Sequence, residues 1–137
     1  MKILHVIISK GFAGSELYVI NLLNYQAKFH DTFLIKNESN EQIRYLKLLN
    51  KKIKIFNIKG FFKKYKINKI IDLINPEIVH THLGNSSRMI VKKDFKLIST
   101  LHMNYDKKHY KNHDALIISN KTQEQNALKS FNGKIKR

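Results

Sequence analysis

An apolar run from Ile3 to Ile8 breaks into a loop carrying Gly11 and Gly14, and a helix-type pattern opens at Ser15–Glu16. Strand, glycine loop, helix is the opening unit of a doubly wound α/β domain, and its loop lies where open sheets take ligands, beyond the carboxyl end of a strand. The rest of the chain keeps this rhythm. Strands are predicted at Lys2–Ile8, Thr32–Lys36, Ile53–Ile58, Ile78–His82, Lys96–Leu101 and Ala115–Ser119. Each is short and mostly apolar, the pattern of parallel strands covered on both faces.

Helical spacing recurs between the strands, in Val19, Leu22, Leu23 and Ala27, then Ile43, Leu46 and Leu49, then Ile67, Ile70, Ile71 and Ile74. Pro76 ends the third helix. Asn85–Ser87 offer N-cap residues for a short helix over Arg88, Met89 and Ile90, and a last helix runs from about Lys121 to Ser130. The alternation predicts one α/β domain over residues 1–137, a doubly wound parallel sheet built of right-handed βαβ units. Its core is expected to contain Ile3, Val6, Ile78, Ile98, Leu116 and Ile117.

Composition excludes several classes. At 137 residues the chain can bury roughly two-thirds of its unfolded surface. Hydrophobic residues make up 42%, a globular rather than a disordered content. With no cysteine there are no disulfides and no thiolate metal sites. No apolar run approaches the roughly 20 residues of a membrane span, and the start shows no cleavage-site pattern of a secretory leader. The net charge of +16 points to an anionic partner. Only Arg44, Arg88 and Arg137 are arginine, so the other 23 of 26 basic residues are lysine. Abundant lysine, isoleucine and asparagine together also fit AT-rich coding, so solvated compositional charge stands as the other reading.

The loop Ser9-Lys10-Gly11-Phe12-Ala13-Gly14-Ser15-Glu16 matches neither the dinucleotide G-x-G-x-x-G pattern nor a P-loop. Glycine permits positive φ and a sharp turn into the helix. The free N–H groups at the helix start attract phosphate. Glu16 complements the helix dipole but repels an anion placed there. A structural turn and a phosphate cradle both fit these residues.

Four patches in order along the chain carry a family resemblance: Ala13-Gly14-Ser15-Glu16, Pro76-Glu77-Ile78-Val79-His80-Thr81-His82, Thr100-Leu101-His102, and Asp114-Ala115-Leu116-Ile117-Ile118-Ser119. The chain resembles the N-terminal, acceptor-side domain of GT-B-fold glycosyltransferases of the retaining family 4 type. Ala13 replaces the first glycine of that family's loop, and Lys28-Phe29-His30-Asp31 lacks its usual glycine. The resemblance implies a Rossmann-like domain and transfer of a sugar from a nucleotide-sugar to an acceptor hydroxyl, in lipopolysaccharide or other cell-envelope glycan synthesis. It implies no metal and no cofactor beyond the nucleotide-sugar donor. The family's C-terminal nucleotide-sugar-binding domain has no counterpart within these residues, so little or no catalysis is expected of the chain alone. The resemblance places backbone N–H groups at Gly11 and Gly14 near the donor diphosphate and His102 in the catalytic position against the donor sugar or diphosphate.

The other histidines, seven in all, divide by position. His80 and His82 point to one face of a strand. His109 and His113 have a ligand spacing if their segment is helical. No carboxylate cluster accompanies either pair, and no metal site is expected. His82, with Gly84 and Asn85 in the loop after it, lines the acceptor side of the expected cleft. His5, inside the first strand, reads as a satisfied core histidine.

Phe61, Phe62, Lys63, Lys64, Lys66 and Lys69 mix aromatics with lysines after the third strand. A solvated helix start is one reading. Docking to an anionic membrane is the other, with the phenylalanines as interfacial anchors and each lysine contributing roughly 1 kcal/mol. Lipid-linked acceptors fit the second reading and place the protein in the cytoplasm, peripheral on the inner face of the cytoplasmic membrane. Two rivals stand beside the enzyme reading: a non-catalytic remnant or a subunit that pairs with a separate donor-domain chain, and a basic nucleic-acid-binding module. Nucleic acid is disfavoured, because the chain has no RNA or DNA motif and its aromatics are not interleaved with arginine.

Overall fold

The computed structural model describes residues 1–137 throughout, apart from the side chain of Gln42. Seven strands form one sheet: β1 (Lys2–Ile7), β2 (Asp31–Asn37), β3 (Lys54–Ile58), β4 (Ile78–His82), β5 (Lys96–Thr100), β6 (Ala115–Ile117) and β7 (Lys134–Lys136). Every pairing is parallel, and the order is β3-β2-β1-β4-β5-β6-β7. This is the doubly wound order, extended by one edge strand. The order reverses between β1 and β4, so their carboxyl ends flank the switch point where such sheets bind ligands.

Six helices cross between the strands: α1 (Gly14–Gln26), α2 (Gln42–Leu48), α3 (Lys63–Ile74), α4 (Gly84–Arg88), α5 (Lys107–Tyr110) and α6 (Lys121–Leu128). Right-handed crossovers put α1 and α2 on one face and α3 to α6 on the other. On the first face Ile7 and Leu34 pack with Val19, Ile20 and Leu23 of α1 and with Tyr45 and Leu49. On the second, Leu4, Val6, Ile35, Val79 and Leu97 meet Ile67, Ile71 and Ile74 of α3. A third cluster seats Leu116 and Ile118 against Tyr110 and Ala127. Asn75, left-handed at φ 50°, closes α3 immediately before Pro76.

Three expectations need correction. Ile3, Val6 and Leu116 are buried, but Ile78, Ile98 and Ile117 are half-buried. Those three share the α1 face on strands β4 to β6, beyond the reach of α1 and α2. Of the expected stripe Ile43, Leu46 and Leu49, only Leu49 is buried, just past the end of α2 at Leu48; within the helix Tyr45 turns inward while Ile43 and Leu46 are exposed. Asn85–Ser87 lie inside α4 rather than before it. Ser86 and Ser87 are buried there because their hydroxyls are satisfied, by the Ile8 N–H (2.8 Å) and by Thr81 (2.7 Å). Helix α5 and strand β7, each a single turn or three residues, were not expected from the pattern.

Candidate functional site

The glycine loop leaves the end of β1 without positive φ: the left-handed positions are Gly60, Phe62, Asn75 and Leu83. A Cβ added at Gly11 or Gly14 would meet nothing within 4 Å. Neither glycine is therefore required by the turn, and both leave backbone bare to solvent. Their amides have no acceptor among the described residues. Glu16, nearly fully buried, folds back so that its carboxylate accepts from the Ala13 N–H and the Ser15 hydroxyl, both at 2.8 Å. Burial would raise its pKa, but bonds from Ser9, Ala13 and Ser15 outweigh burial and hold it below the ordinary value. The start of α1 thus carries a built-in negative charge.

The β1–β4 register sets His5 beside His80 and Ile7 beside His82, all on the α1 face. His5 and His82 are fully buried and His80 nearly so. His5 Nδ1 meets His82 Nε2 at 3.0 Å, and His82 Nδ1 meets His102 Nε2 at 3.2 Å. At its other nitrogen, His5 Nε2 meets Gln26 Oε1 at 2.7 Å. The His5 and His82 rings lie 14° from coplanar with centroids 5.3 Å apart, and those of His82 and His102 lie 36° apart at 5.4 Å. These separations are what imidazoles joined end to end give. His80 lies against the face of His82 at 4.4 Å and holds Thr100 Oγ1 at 2.8 Å.

One hydrogen-bonded file thus runs from the last residue of α1, through the sheet face, to the loop after β5. Burial lowers the pKa of His5 to about 4 against the bond from Gln26. Burial, then the neighbouring histidines, lowers His80 and His82 well below the ordinary value. Burial also lowers half-buried His102, with Glu16 pulling the other way. The array is neutral at pH 7.

His5, His80 and His82 are close enough to raise the metal question again. The ring nitrogens of His5 and His82 meet each other, Gln26 and His102, and His80 Nε2 meets Thr100; a 3.0 Å gap between facing nitrogens holds a proton. The arrangement is that of a polar network rather than an open ligand set.

His102 is the only member of the file that reaches the rim, and Tyr18 packs edge-on against it at 5.2 Å. Its Nδ1 has no partner within the protein and is not buried. His82, expected along the acceptor side, is instead entirely behind His102. Asn85 is exposed on the first turn of α4, where it accepts from Arg88 at 3.3 Å. Gly84 stands against the His109 ring, where a Cβ would come within 2.7 Å. Leu83, between His82 and Gly84, holds φ 71° and ψ 147°, a combination that costs a non-glycine residue on the order of 1–3 kcal/mol. His109 and His113 do not pair: α5 ends at Tyr110, and His113 Nε2 turns to the Thr81 hydroxyl at 3.1 Å.

No sequence signal marks His5 or Gln26 as members of this file, because only the register and the descent of α1 bring them to His82. A cavity of about 660 Å³ lies at the opposite, amino-terminal edge of the sheet, lined by Lys2, Asp31, Asn75 and Glu77.

Phe61 and Phe62 are 85% and 79% exposed. Phe62 is left-handed at φ 62° although its ring is mostly exposed. Lys66 ties the loop by donating to the Lys59 carbonyl at 2.7 Å, and Lys69 lies over the Tyr65 ring. Lys63 and Lys64 open α3 beside them. Phe62, Tyr65 and Val91 line a shallow, mostly apolar groove of about 600 Å³. No helix among the described residues is long and apolar enough to cross a membrane.

No family profile matches the sequence, and no curated protein matches it. Solved structures do. A glycosyltransferase from Rickettsia africae ESF-5 superposes with a TM-score of 0.71 at 22% identity, over 98% of this chain and 41% of that one. Anabaena Alr3699/HepE, solved in complex with UDP and glucose, superposes with a TM-score of 0.66 at 12% identity, over 99% of this chain and 43% of that one. The Rossmann-like sheet is thus a fold that glycosyltransferases use. The chain spans about two-fifths of the length of these structures.

Proposed function

We propose that this chain is the acceptor-side domain of a GT-B glycosyltransferase of the family 4 type, which moves a sugar from a nucleotide-sugar to an acceptor hydroxyl in cell-envelope glycan synthesis. The observation that carries the reading is the convergence of the bare glycine loop and the His102 file on one open edge, at the switch point of a sheet that superposes on glycosyltransferases.

In this reading the amides of Gly11 and Gly14 face the donor diphosphate, and His102 is the catalytic residue against the sugar. Asn85 lies on the acceptor side, and His82 acts through His102. The domain that holds the nucleotide comes from further polypeptide or from a separate chain. Mixed with it, the 137-residue domain is expected to transfer sugar; alone it should bind UDP-glucose weakly and transfer nothing. Ligand-observed NMR with UDP-glucose tests the binding. A signal lost in both His102→Ala and Gly14→Val supports the reading. Binding of duplex DNA or RNA with no response to any nucleotide-sugar would replace it with the nucleic-acid module.

The exposed aromatics and lysines of residues 61–69 favour a second element, peripheral docking on an anionic cytoplasmic membrane surface that presents a lipid-linked acceptor. A bulky residue held left-handed costs roughly 1–2 kcal/mol. Phe62 bears that cost with its ring mostly in solvent, as a residue selected for contact outside the chain would. Co-sedimentation with liposomes tests it: binding should need anionic lipid and weaken with salt. Equal loss when Lys92, Lys93, Lys107 and Lys108 are replaced by glutamine instead would leave only diffuse charge.

A further inference from the structure

The file Gln26–His5–His82–His102 has a direction, because each neutral imidazole has one N–H and one bare nitrogen. Gln26 Oε1 accepts, so His5 Nε2 must carry its proton. His5 Nδ1 is then bare and accepts from His82 Nε2. His82 Nδ1 is bare in turn and accepts from His102 Nε2. A neutral His102 is left with its lone pair on Nδ1, the nitrogen without a protein partner. Turning the Gln26 amide over would reverse every bond in the file and place an N–H at that position. The amide at one end therefore selects what the imidazole at the other end can recognise.

We propose that Gln26, His5 and His82 are positioning residues that hold His102 in its Nε2–H tautomer, so that its bare Nδ1 accepts a hydrogen bond from a sugar hydroxyl and disfavours a phosphate oxygen. A lone pair facing a phosphate oxygen repels it, whereas a hydroxyl brings the proton that a lone pair needs. Glu16 adds a negative charge on the same side, which also disfavours phosphate at this point. The nature of the hydroxyl rests on the sugar-transfer reading; the tautomer does not. His80 stays outside the file, since its Nε2 is held by Thr100, and it serves as an internal reference.

The test is ¹H–¹⁵N long-range correlation spectroscopy of the full chain labelled on histidine, at pH 7.5. His5, His82 and His102 should each appear as the Nε2–H tautomer. Gln26→Glu, whose carboxylate only accepts, should leave all three unchanged. Gln26→Lys, whose ammonium only donates, should convert His102 to the Nδ1–H tautomer from three hydrogen bonds away while His80 does not move. A merely structural glutamine would not invert a remote tautomer. An Nδ1–H His102 in the wild type, or one tautomer in all three proteins, overturns the proposal. Should Gln26→Lys not fold, an Nδ1–H His102 in either the wild type or Gln26→Glu still overturns the proposal. Methyl α-glucoside and inorganic phosphate are then titrated separately, and the glycoside alone should shift His102 Nδ1. A shift with phosphate alone overturns the hydroxyl partner. No shift with either removes the sugar reading of the edge and the hydroxyl partner together, while the tautomers report separately on the relay.

Discussion

Lowering the pH from 7 to 5 should destabilise this fold steeply, before its carboxylates titrate. His5 and His113 are buried neutral, each with its pKa lowered from 6.5 to about 4, mainly by burial. A histidine depressed in the folded state binds its proton more readily when unfolded. Its stabilisation is therefore present above the unfolded pKa and is lost as pH falls towards the folded one. At pH 5 each is a protonated histidine in the unfolded chain and a neutral one in the fold, a loss of about 2 kcal/mol apiece relative to pH 7. His80 and His82 shift in the same direction. Together these losses rival much of the roughly 5–15 kcal/mol by which an ordinary domain is stable. Urea unfolding followed by circular dichroism at pH 7, 6 and 5 measures the effect. The midpoint should fall throughout, with at least two protons taken up on unfolding near pH 5. A midpoint unchanged from pH 7 to 5 would refute the burial and neutrality assigned to these four histidines.

Further perturbations separate folding from function. Phe62→Gly should raise stability by about 1 kcal/mol, because it releases a left-handed residue, while weakening attachment to anionic vesicles even at low salt. Replacing Lys63, Lys64, Lys66 and Lys69 by glutamine should remove most of that attachment, since roughly 1 kcal/mol each amounts to several-hundred-fold or more; co-sedimentation reads both. Gly14→Ala places its methyl in open space, so thermal melting should show no loss of stability, while UDP-glucose binding falls. Leu23→Ala, at the centre of the α1 face, should cost about 2–5 kcal/mol in urea titrations.

Much of the architecture was legible in the sequence because it depends on local pattern. Short apolar runs alternating with helical spacing specify parallel strands and crossover helices, and the handedness of crossovers then restricts the topology. The period of a strand also placed His80 and His82 on one face. Pro76 marked the end of α3 for a reason internal to its own backbone. Where the pattern was short, the stripe misled: Ile43 and Leu46 share the spacing of a buried face, yet α2 turns Tyr45 inward.

What tertiary structure decided is what lies between elements. Ile98 and Ile117 look like core residues, and only the absence of a helix over their part of the sheet leaves them half-open. Likewise, the spacing of residues 5, 26, 82 and 102 in the chain has no period that could announce a contact. Parallel register brings His5 level with His80, the length of α1 returns Gln26 to the sheet, and the turn after β5 brings His102 back to His82. A hydrogen bond depends on tenths of an ångström and on direction, which hydrophobic pattern does not encode. Local pattern along the chain specifies the sheet; the packing of α1 and the loop after β5 on that sheet sets which nitrogen of His102 is tied to His82 and which stays free.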